Sequence, residues 1–267
     1  MDLGLGGAAV IVAGGTGGMG RAAADCFAAD GARVAVLARS QSELDATAAA
    51  LTALGSPDAI GISVDLFDGP SVAAAVAEAG DRWGHLNAVV NAAGPMVGGL
   101  KSFETYTDED WLSVFDGITL SSVRVIRAAL PYLRRADWAR IVNVSAMSTK
   151  RQSPPLIAYT ASKSALTSLT KNLAQTLAPE GILVNTVSPG TFASESFKAA
   201  MAEMPGVDEN DLHDIMRFIK QGFGHEVFLD RAADPSEIGP TIAFAASARN
   251  TYMTGANINV DGGSDFT

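Results

Sequence analysis

The sequence predicts a doubly wound α/β fold, in which a parallel sheet of about seven strands carries helices on both faces. Two observations predict it. Apolar runs of strand length alternate with helix-like stretches along the chain of 267 residues, as parallel strands joined by crossover helices require. Most of these runs are apolar at successive positions, as in strands covered on both faces. No linker or change in composition divides the chain, so residues 1–267 are expected to form a single domain.

The predicted elements follow one another in a regular order. Strands are predicted at residues 8–13, 34–38, 59–64, 88–90, 139–144, 182–187 and 257–260. Helices are predicted at residues 18–29, 40–54, 70–83, 107–135, 158–178 and 235–246. The last helix carries three start signals, an N-cap at Asp234, a first-turn proline at Pro235 and a capping-box acid at Glu237.

The alternation breaks at residues 193–230, a long connection that should lie at the carboxyl edge of the sheet. Apolar side chains recur there at helical spacing in two groups, first Phe197, Met201 and Met204, then Leu212, Ile215, Met216, Ile219 and Phe223. We expect two amphipathic helices that form a lid over an apolar substrate pocket, because loops at this edge usually contact the ligand. The alternative is that both helices only pack on the core.

Composition and charge limit the possible functions. The chain has 19 Lys and Arg against 29 Asp and Glu, a net charge of −10, which argues against nucleic acid or an anionic membrane as partner. The single cysteine, Cys26, is expected in the core and offers no intramolecular disulfide. Without a signal peptide or a membrane-spanning run, the protein is expected to be soluble and cytoplasmic. No metal site is expected, because His85, His213 and His225 lack metal-ligand spacing and are expected to be satisfied or solvated.

A glycine-rich turn follows the first strand and leads into a helix. Residues 13–20 have the sequence Ala-Gly-Gly-Thr-Gly-Gly-Met-Gly. Glycine allows the backbone to approach a pyrophosphate closely, and the N–H groups at a helix N-terminus favour an anion. The turn therefore predicts a dinucleotide site, with a plain strand-to-helix turn as the alternative. Its candidate residues are Gly14, Thr16, Gly17, Gly18, Met19 and Gly20.

The ends of the next strands extend this prediction. The second strand ends at Arg39 and Ser40, at the corner that faces the adenosine ribose in dinucleotide-binding folds. An acid there would bind the 2′-OH of NAD, whereas an arginine accommodates the 2′-phosphate of NADP. The sequence therefore favours NADP(H) over NAD(H), the alternative being a solvated arginine. Asp65, at the end of the third strand, is placed to bind the adenine amino group.

The fourth strand ends in a turn of small residues that should lie against the cofactor, Asn91, Ala92, Ala93 and Gly94. The chemistry itself is indicated by Tyr159 and Lys163, which lie four residues apart and share one face of a helix. A nearby ammonium lowers the pKa of a tyrosine from its usual value of about 10. Such a tyrosine exchanges a proton with a carbinol oxygen while a hydride moves to or from a nicotinamide.

These motifs resemble those of the short-chain dehydrogenase/reductase family, of the classical type, over essentially the whole chain. The family's glycine motif matches Gly14, Gly18 and Gly20, its NNAG matches residues 91–94, and its YxxxK matches Tyr159 and Lys163. Residues 254–263 are similar to the family's C-terminal strand.

The resemblance implies a Rossmann-type fold and further cofactor contacts. The turn Pro189-Gly190 matches a family turn that contacts the nicotinamide end, and the implied contacts include Leu66, Thr191 and Phe192. The helices predicted at 107–135 and 158–178 resemble those through which the family forms dimers and tetramers, so a homodimer or homotetramer is expected.

Four positions depart from the family pattern. Ala13 and Ala92 stand where the family has threonine and a second asparagine, so a polar contact that supports the cofactor turn is expected to be absent. The catalytic serine normally lies thirteen residues before the tyrosine, which is Ala146 here. Ile118 stands at the asparagine of the family's proton relay, and the neighbouring Thr119 should face elsewhere on the helix.

Two serines are candidates to replace the missing hydroxyl. Ser145 lies one position from Ala146, so on a strand its side chain would point to the opposite face unless the chain bulges. Ser148 follows shortly after and is the other candidate. A donor of this kind stabilises the developing charge on the substrate oxygen.

The sequence thus predicts an NADP(H)-dependent oxidoreductase that interconverts a carbonyl and a secondary alcohol on a largely apolar small molecule. Tyr159 would act as general acid/base, assisted by Lys163, which the family resemblance also places at the nicotinamide ribose. Two alternatives stay open because of Ala146 and Ile118. One is an NADP-binding protein with little or no turnover, and the other is a reductase of an activated double bond.

Overall fold

A parallel sheet of seven strands forms the centre of the protein. A computed structural model describes residues 2–94 and 99–264, except for the side chain of Ser196. The strands are β1 (Ala9–Ala13), β2 (Arg33–Ala38), β3 (Ala59–Ser63), β4 (Ala88–Asn91), β5 (Ala139–Val144), β6 (Ile182–Pro189) and β7 (Asn257–Val260). Their order in the sheet is β3-β2-β1-β4-β5-β6-β7, and every neighbouring pair is parallel. The predicted fold class is confirmed.

Helices cover both faces of this sheet. They are α1 (Gly18–Ala29), α2 (Gln41–Leu54), α3 (Gly69–Trp83), α4 (Asp108–Phe115), α5 (Ser121–Leu133), α6 (Ile157–Leu177), α7 (Glu195–Ala202), α8 (Leu212–Phe223) and α9 (Gly239–Ala245). Helices α1, α2 and α9 pack on one face, and α3, α5 and α6 on the other. Successive residues of β1 alternate between the two cores, with Val10 and Val12 in one and Ile11 in the other, as the strand period of two requires.

The long helix predicted at 107–135 is interrupted. A π-helical turn at Asp116–Leu120 separates α4 from α5. In a π turn the backbone hydrogen bonds join residues five apart instead of four. Two serine hydroxyls also donate to backbone carbonyl oxygens of this turn. Ser121 Oγ donates to the carbonyl oxygen of Gly117 at 2.8 Å, and Ser122 Oγ donates to that of Ile118 at 2.9 Å. Ile118, within this turn, is fully buried and packs with Val114 of α4 and Leu166 of α6.

The last predicted helix begins differently from expectation. Residues Pro235–Glu237 form a 3₁₀ turn, and the α-helix starts only at Gly239. Asp234 does cap the turn, since its Oδ1 accepts from the backbone N–H of Ser236 at 2.9 Å. The prediction that Glu237 completes a capping box is wrong, because its carboxylate accepts two hydrogen bonds from the guanidinium of Arg231 instead.

The connection at 193–230 contains the two expected helices, α7 and α8. Met201 and Ile215 pack with Ala193 and Ala232 in a small apolar cluster of their own. Met204 lies beyond the end of α7 and is exposed. Among residues 2–94 and 99–264, no helix combines the length and apolar character needed to cross a bilayer.

Candidate active site

Two cavities lie at the carboxyl edge of the sheet, where the strand order reverses. Strand β1 pairs with β2 on one side and with β4 on the other. From β1, strands β2 and β3 extend the sheet towards one edge, and β4 to β7 extend it towards the other. Open α/β sheets bind ligands in the crevice at such a point. The larger cavity has a volume of about 720 Å³ and the smaller about 220 Å³. The glycine turn borders both, since Thr16 lines the larger cavity and Met19 the smaller.

The larger cavity collects the residues predicted from successive strand ends. Its lining includes Gly14, Thr16, Arg39, Ser40, Asp65, Leu66, Ala93 and Gly94. Arg39 is exposed on its rim, and Ser40 caps α2 by accepting from the backbone N–H of Glu43. Asp65 Oδ1 accepts from the backbone N–H of Phe67 at 2.9 Å, which fixes the turn after β3.

The glycine turn fits a pyrophosphate. Gly14 has a φ of +80°, and a Cβ there would lie 2.7 Å from the backbone nitrogen of Ala93. At Gly17, by contrast, a Cβ would meet no protein atom within 4 Å. Gly17 is the N-cap of α1 and has no side chain to accept the first N–H groups, whereas Ser40 and Asp68 cap the next two helices. The open N-terminus of α1 therefore leaves donors and space for an anion.

The other residues of the predicted cofactor site support this turn or lie beside it. A Cβ at Gly20 would lie 2.2 Å from the carbonyl oxygen of Gly14, so α1 and the turn are in close contact. Asn91 is buried and donates to Asn143 Oδ1 at 2.8 Å. Gly18 opens α1 with a positive φ, and Ala92 packs against the core.

The smaller cavity is mainly apolar and contains four polar side chains. Its walls come from α1, from the loop after β5, from α6, from the turn after β6 and from both helices of the 193–230 connection. The lining residues are Met19, Ala146, Met147, Ser148, Leu156, Tyr159, Pro189, Gly190, Thr191, Phe192, Phe197, Ile219, Phe223 and His225. Ser148, Tyr159, Thr191 and His225 are the polar members. This composition suits an apolar molecule with a few polar atoms.

Tyr159 and Lys163 lie one turn apart on α6, and burial shifts the pKa of both side chains. Lys163 Nζ lies 5.6 Å from the centre of the Tyr159 ring and donates to the carbonyl oxygen of Val144 at 2.7 Å. Burial lowers the pKa of Lys163 to about 8 and raises the pKa of Tyr159 to about 12. The expected lowering of the tyrosine pKa is therefore wrong for the free protein, because desolvation of the phenolate outweighs the neighbouring ammonium.

The two candidate serines occupy different environments. Ser145 is buried, and its Oγ donates to the carbonyl oxygen of Lys163 at 3.1 Å and bonds Thr167 Oγ1 at 2.8 Å. Ser148 lines the smaller cavity together with Tyr159. Thr160 Oγ1 donates to Ser148 Oγ at 3.0 Å, so the hydroxyl proton of Ser148 is available for another acceptor.

The position of the family's relay asparagine is apolar. Ile118 is fully buried in a cluster with Val114, Ala158 and Leu166, against which Tyr159 packs. Thr119 turns away, and its Oγ1 donates to the carbonyl oxygen of Ser162 at 2.9 Å. These two side chains supply no polar group at the position of that asparagine.

His225 is a residue of the smaller cavity that sequence reasoning missed. We expected it to be satisfied or solvated, yet it is only 4% exposed and its Nε2 has no hydrogen-bond partner among the described residues. A signal was present in Phe223-Gly224-His225. A glycine that ends an amphipathic helix turns the next residue back onto the apolar face. Gly224 has a φ of 67°, and the His225 ring lies 6.3 Å from that of Phe223.

The chain is similar to known proteins over nearly its full length. A family model described as short chain dehydrogenase matches residues 8–205. The short-chain reductase protein NovJ of Streptomyces niveus is 31% identical over 253 residues, covering 95% of this chain and 92% of that protein. A 3beta-hydroxysteroid dehydrogenase of Mediterraneibacter gnavus is 32% identical over 261 residues, covering 95% of this chain and 93% of the relative.

Solved structures show the same architecture. The crystal structure of L-sorbose reductase from Gluconobacter frateurii, complexed with NADPH and L-sorbose, superposes with a TM-score of 0.90. The two sequences are 25% identical, and the match covers 100% of both chains. A short-chain dehydrogenase/reductase double mutant from Serratia marcescens gives a TM-score of 0.83 at 28% identity, covering 97% of this chain and 98% of that one.

Proposed function

This chain belongs to the short-chain dehydrogenase/reductase family, and we propose that it is an NADP(H)-dependent oxidoreductase that interconverts a carbonyl and a secondary alcohol on a largely apolar substrate. One observation carries the proposal. Tyr159, which can exchange a proton, lines an apolar cavity, and the glycine turn borders both this cavity and a second one that is suited to a dinucleotide. A bound nicotinamide supplies or accepts the hydride.

Tyr159 is the proton donor in the reductive direction. Its raised pKa keeps the phenol protonated at neutral pH, so it can give a proton to the oxygen of the carbonyl as negative charge develops there. The buried ammonium of Lys163, held by the carbonyl oxygen of Val144, favours the phenolate that remains. Gly94 keeps the space near this ammonium open, because a Cβ there would lie 2.8 Å from Nζ.

Ser148 is the donor that polarises the carbonyl. It lines the cavity with Tyr159, and the hydrogen bond from Thr160 leaves its own proton free. Ser145 is already engaged with Lys163 and Thr167 and does not line this cavity. A hydroxyl from Ser148 would thus take the role that Ala146 cannot fill.

NADP(H) is the cofactor we propose. Arg39 lies on the rim of the larger cavity, at the end of β2, where an acid would favour the 2′-OH of NAD. The structurally similar L-sorbose reductase was crystallised with NADPH, which supports the same choice here.

The test is single-turnover oxidation of NADPH with a panel of ketones and aldehydes. Wild type should oxidise NADPH with at least one carbonyl compound, and Tyr159→Phe should abolish this turnover while NADPH binding stays nearly intact. Tight NADPH binding without oxidation by any carbonyl compound would contradict the proposal.

A second candidate is reduction of an activated double bond. Ala146 favours it, because this side chain lines the cavity at the position where the family places its carbonyl-binding serine. Enones in the same single-turnover panel separate the two reactions, since product analysis shows whether the double bond or the carbonyl is reduced.

We also propose that the protein forms a homodimer or homotetramer through α4 and the turn that follows it. Leu112, Phe115 and Leu120 lie there and are 68%, 38% and 38% exposed. Burial of such apolar side chains in a subunit interface is favourable. Sedimentation equilibrium should give a dimer or tetramer, and Leu112→Glu should shift it towards the monomer.

A further inference from the structure

His225 lies in the wall that α8 and its C-terminal turn give to the smaller cavity. Gly224 ends α8 in the left-handed conformation and turns the chain, so that His225 joins Ile219 and Phe223 in lining the cavity. The segment is anchored to the loop after β5. Ser153 Oγ donates to the carbonyl oxygen of Phe223 at 3.2 Å, and Arg151 Nη1 donates to that of Glu226 at 3.4 Å. The backbone is therefore held in place on both sides of His225.

The imidazole is buried and its Nε2 is unpartnered. The residue is 4% exposed, and no described residue bonds Nε2. Buried polar atoms in native proteins are nearly always hydrogen-bonded, so an exception needs an explanation. Burial and the positive charge of Arg151 lower the pKa of His225, so the ring is neutral at neutral pH. A neutral ring offers one donor and one acceptor and so suits an uncharged partner.

Among the described residues, the cavity wall formed by α7 and α8 provides no such partner. Ile219, Phe223 and Phe197, which form the α7 and α8 side of this cavity, have only carbon atoms in their side chains. The three hydroxyl side chains of the cavity lie on the loop after β5, on α6 and after β6. The polar atom that Nε2 bonds therefore comes from the contents of the cavity, which are water in the free protein and a ligand when one displaces that water.

We propose that His225 is a substrate-binding residue whose Nε2 bonds a second oxygen of the substrate, a hydroxyl or carbonyl group separate from the one that reacts. The inference rests on the proposed carbonyl–alcohol chemistry and names its substrate class: an apolar carbon skeleton that carries two oxygen functions. A site built to bond a substrate hydroxyl discriminates strongly against an analogue that lacks it, because the protein group is then left unpaired.

The test compares cyclohexanone with 2-, 3- and 4-hydroxycyclohexanone as probes of the wild-type enzyme with NADPH. At least one hydroxyketone should exceed cyclohexanone in kcat/KM by about tenfold or more, the effect of one well-placed hydrogen bond. His225→Phe should remove this preference, so that the ratio of kcat/KM for the hydroxyketone to kcat/KM for cyclohexanone falls to about one, chiefly through KM of the hydroxyketone. His225→Gln, which keeps a donor and an acceptor, should restore part of it.

Two controls separate binding from a structural effect. His213→Gln changes an exposed histidine in the first turn of α8 that does not line the cavity, and it should keep the wild-type preference. The Kd for NADPH should be unchanged in His225→Phe.

Each contrary outcome is distinct. If wild type reduces the ketones but prefers none of the hydroxyketones, or if His225→Phe keeps the preference, the inference is overturned while the proposed function stands. If His225→Phe weakens NADPH instead, the imidazole binds the cofactor and the inference is likewise overturned. If wild type reduces no carbonyl compound at all, the proposed function fails first and the inference falls with it.

Discussion

Lys163 Nζ donates a hydrogen bond to the backbone carbonyl oxygen of Val144 at 2.7 Å, and this contact joins α6 to the end of β5. The ammonium is thereby fixed under Tyr159 at the edge of the sheet, with only 2% of the residue exposed. Burial opposes the charge, which explains why the pKa of Lys163 falls to about 8. Lys163 therefore carries its positive charge at neutral pH and loses it as the pH rises above about 8.

The pH dependence of kcat/KM for NADPH should show this sensitivity. Lys163 with a pKa of about 8 loses its proton well before Tyr159 with a pKa of about 12, so activity in the reductive direction should fall as the pH rises through 8. The profile of kcat/KM reports groups of the free enzyme. In Lys163→Arg, where the charge is permanent, the decline near pH 8 should disappear. A wild-type decline that begins only near pH 10 would show that Lys163 is not desolvated.

Ser148→Ala should lower kcat for ketone reduction by about 10²- to 10³-fold, the usual effect of removing one donor to a developing oxyanion. The reason is the position of its hydroxyl in the cavity with Tyr159, with its proton left free by Thr160. Steady-state kinetics measure the loss, and the Kd for NADPH should not change. Ser145→Ala should give a far smaller loss, because that hydroxyl bonds Lys163 and Thr167. The reverse ranking would assign the role to Ser145.

Ala146→Ser should increase the rate of carbonyl reduction. Ala146 lines the cavity and is 7% exposed, so an added hydroxyl would have access to the substrate oxygen. A second donor at the oxyanion adds stabilisation to the transition state. The measurement is kcat with the best ketone of the panel. An unchanged or lower kcat, with enone reduction intact, would favour double-bond chemistry for this cavity.

The sequence predicted the parts of the site that depend on local patterns. Glycines after β1 and small residues after β4 are visible in the chain, because a turn that approaches a pyrophosphate excludes side chains wherever it occurs. The strands were found for a similar reason, since a buried parallel strand is apolar at every position. These features need no knowledge of distant residues.

Other parts depend on contacts between distant segments and escaped prediction. The π turn at Asp116–Leu120 adds a residue to a helix turn without changing the apolar pattern around Ile118. The pKa of Tyr159 depends on how deeply α6 is buried, which the spacing of Tyr159 and Lys163 does not reveal. The position of His225 in the cavity wall depends on the turn at Gly224 and on the loop after β5, where Ser153 bonds the carbonyl oxygen of Phe223.

Arg39→Ala should weaken NADPH far more than NADH. Arg39 lies at the end of β2 on the rim of the larger cavity, and a guanidinium bonds a phosphate strongly through charge-assisted hydrogen bonds. Fluorescence titration of both cofactors measures the two Kd values, and the ratio of Kd for NADH to Kd for NADPH should fall by about tenfold or more. Arg127, on α5 and outside that cavity, provides a matched control as Arg127→Ala. Equal weakening of both cofactors would show that Arg39 does not bind the 2′-phosphate.

Gly17→Ala tests whether the open N-terminus of α1 holds the cofactor. The backbone there, with φ of −153° and ψ of 171°, is extended and open to any residue, and a Cβ would meet no protein atom within 4 Å. The thermal stability of the free protein should therefore be nearly unchanged. The added methyl group would occupy the space above the first N–H groups of α1, so the affinity for NADPH and NADH should fall together.

Gly14→Ala is the contrasting variant for the same turn. Its Cβ would lie 2.7 Å from the backbone nitrogen of Ala93, and its φ of +80° disfavours a side chain, so the free protein itself should lose stability. Differential scanning calorimetry and cofactor titration together separate the two cases. Unchanged cofactor affinity in Gly17→Ala would show that the pyrophosphate does not lie at this N-terminus, whereas a large loss of stability would show that the space above Gly17 is needed by the fold itself.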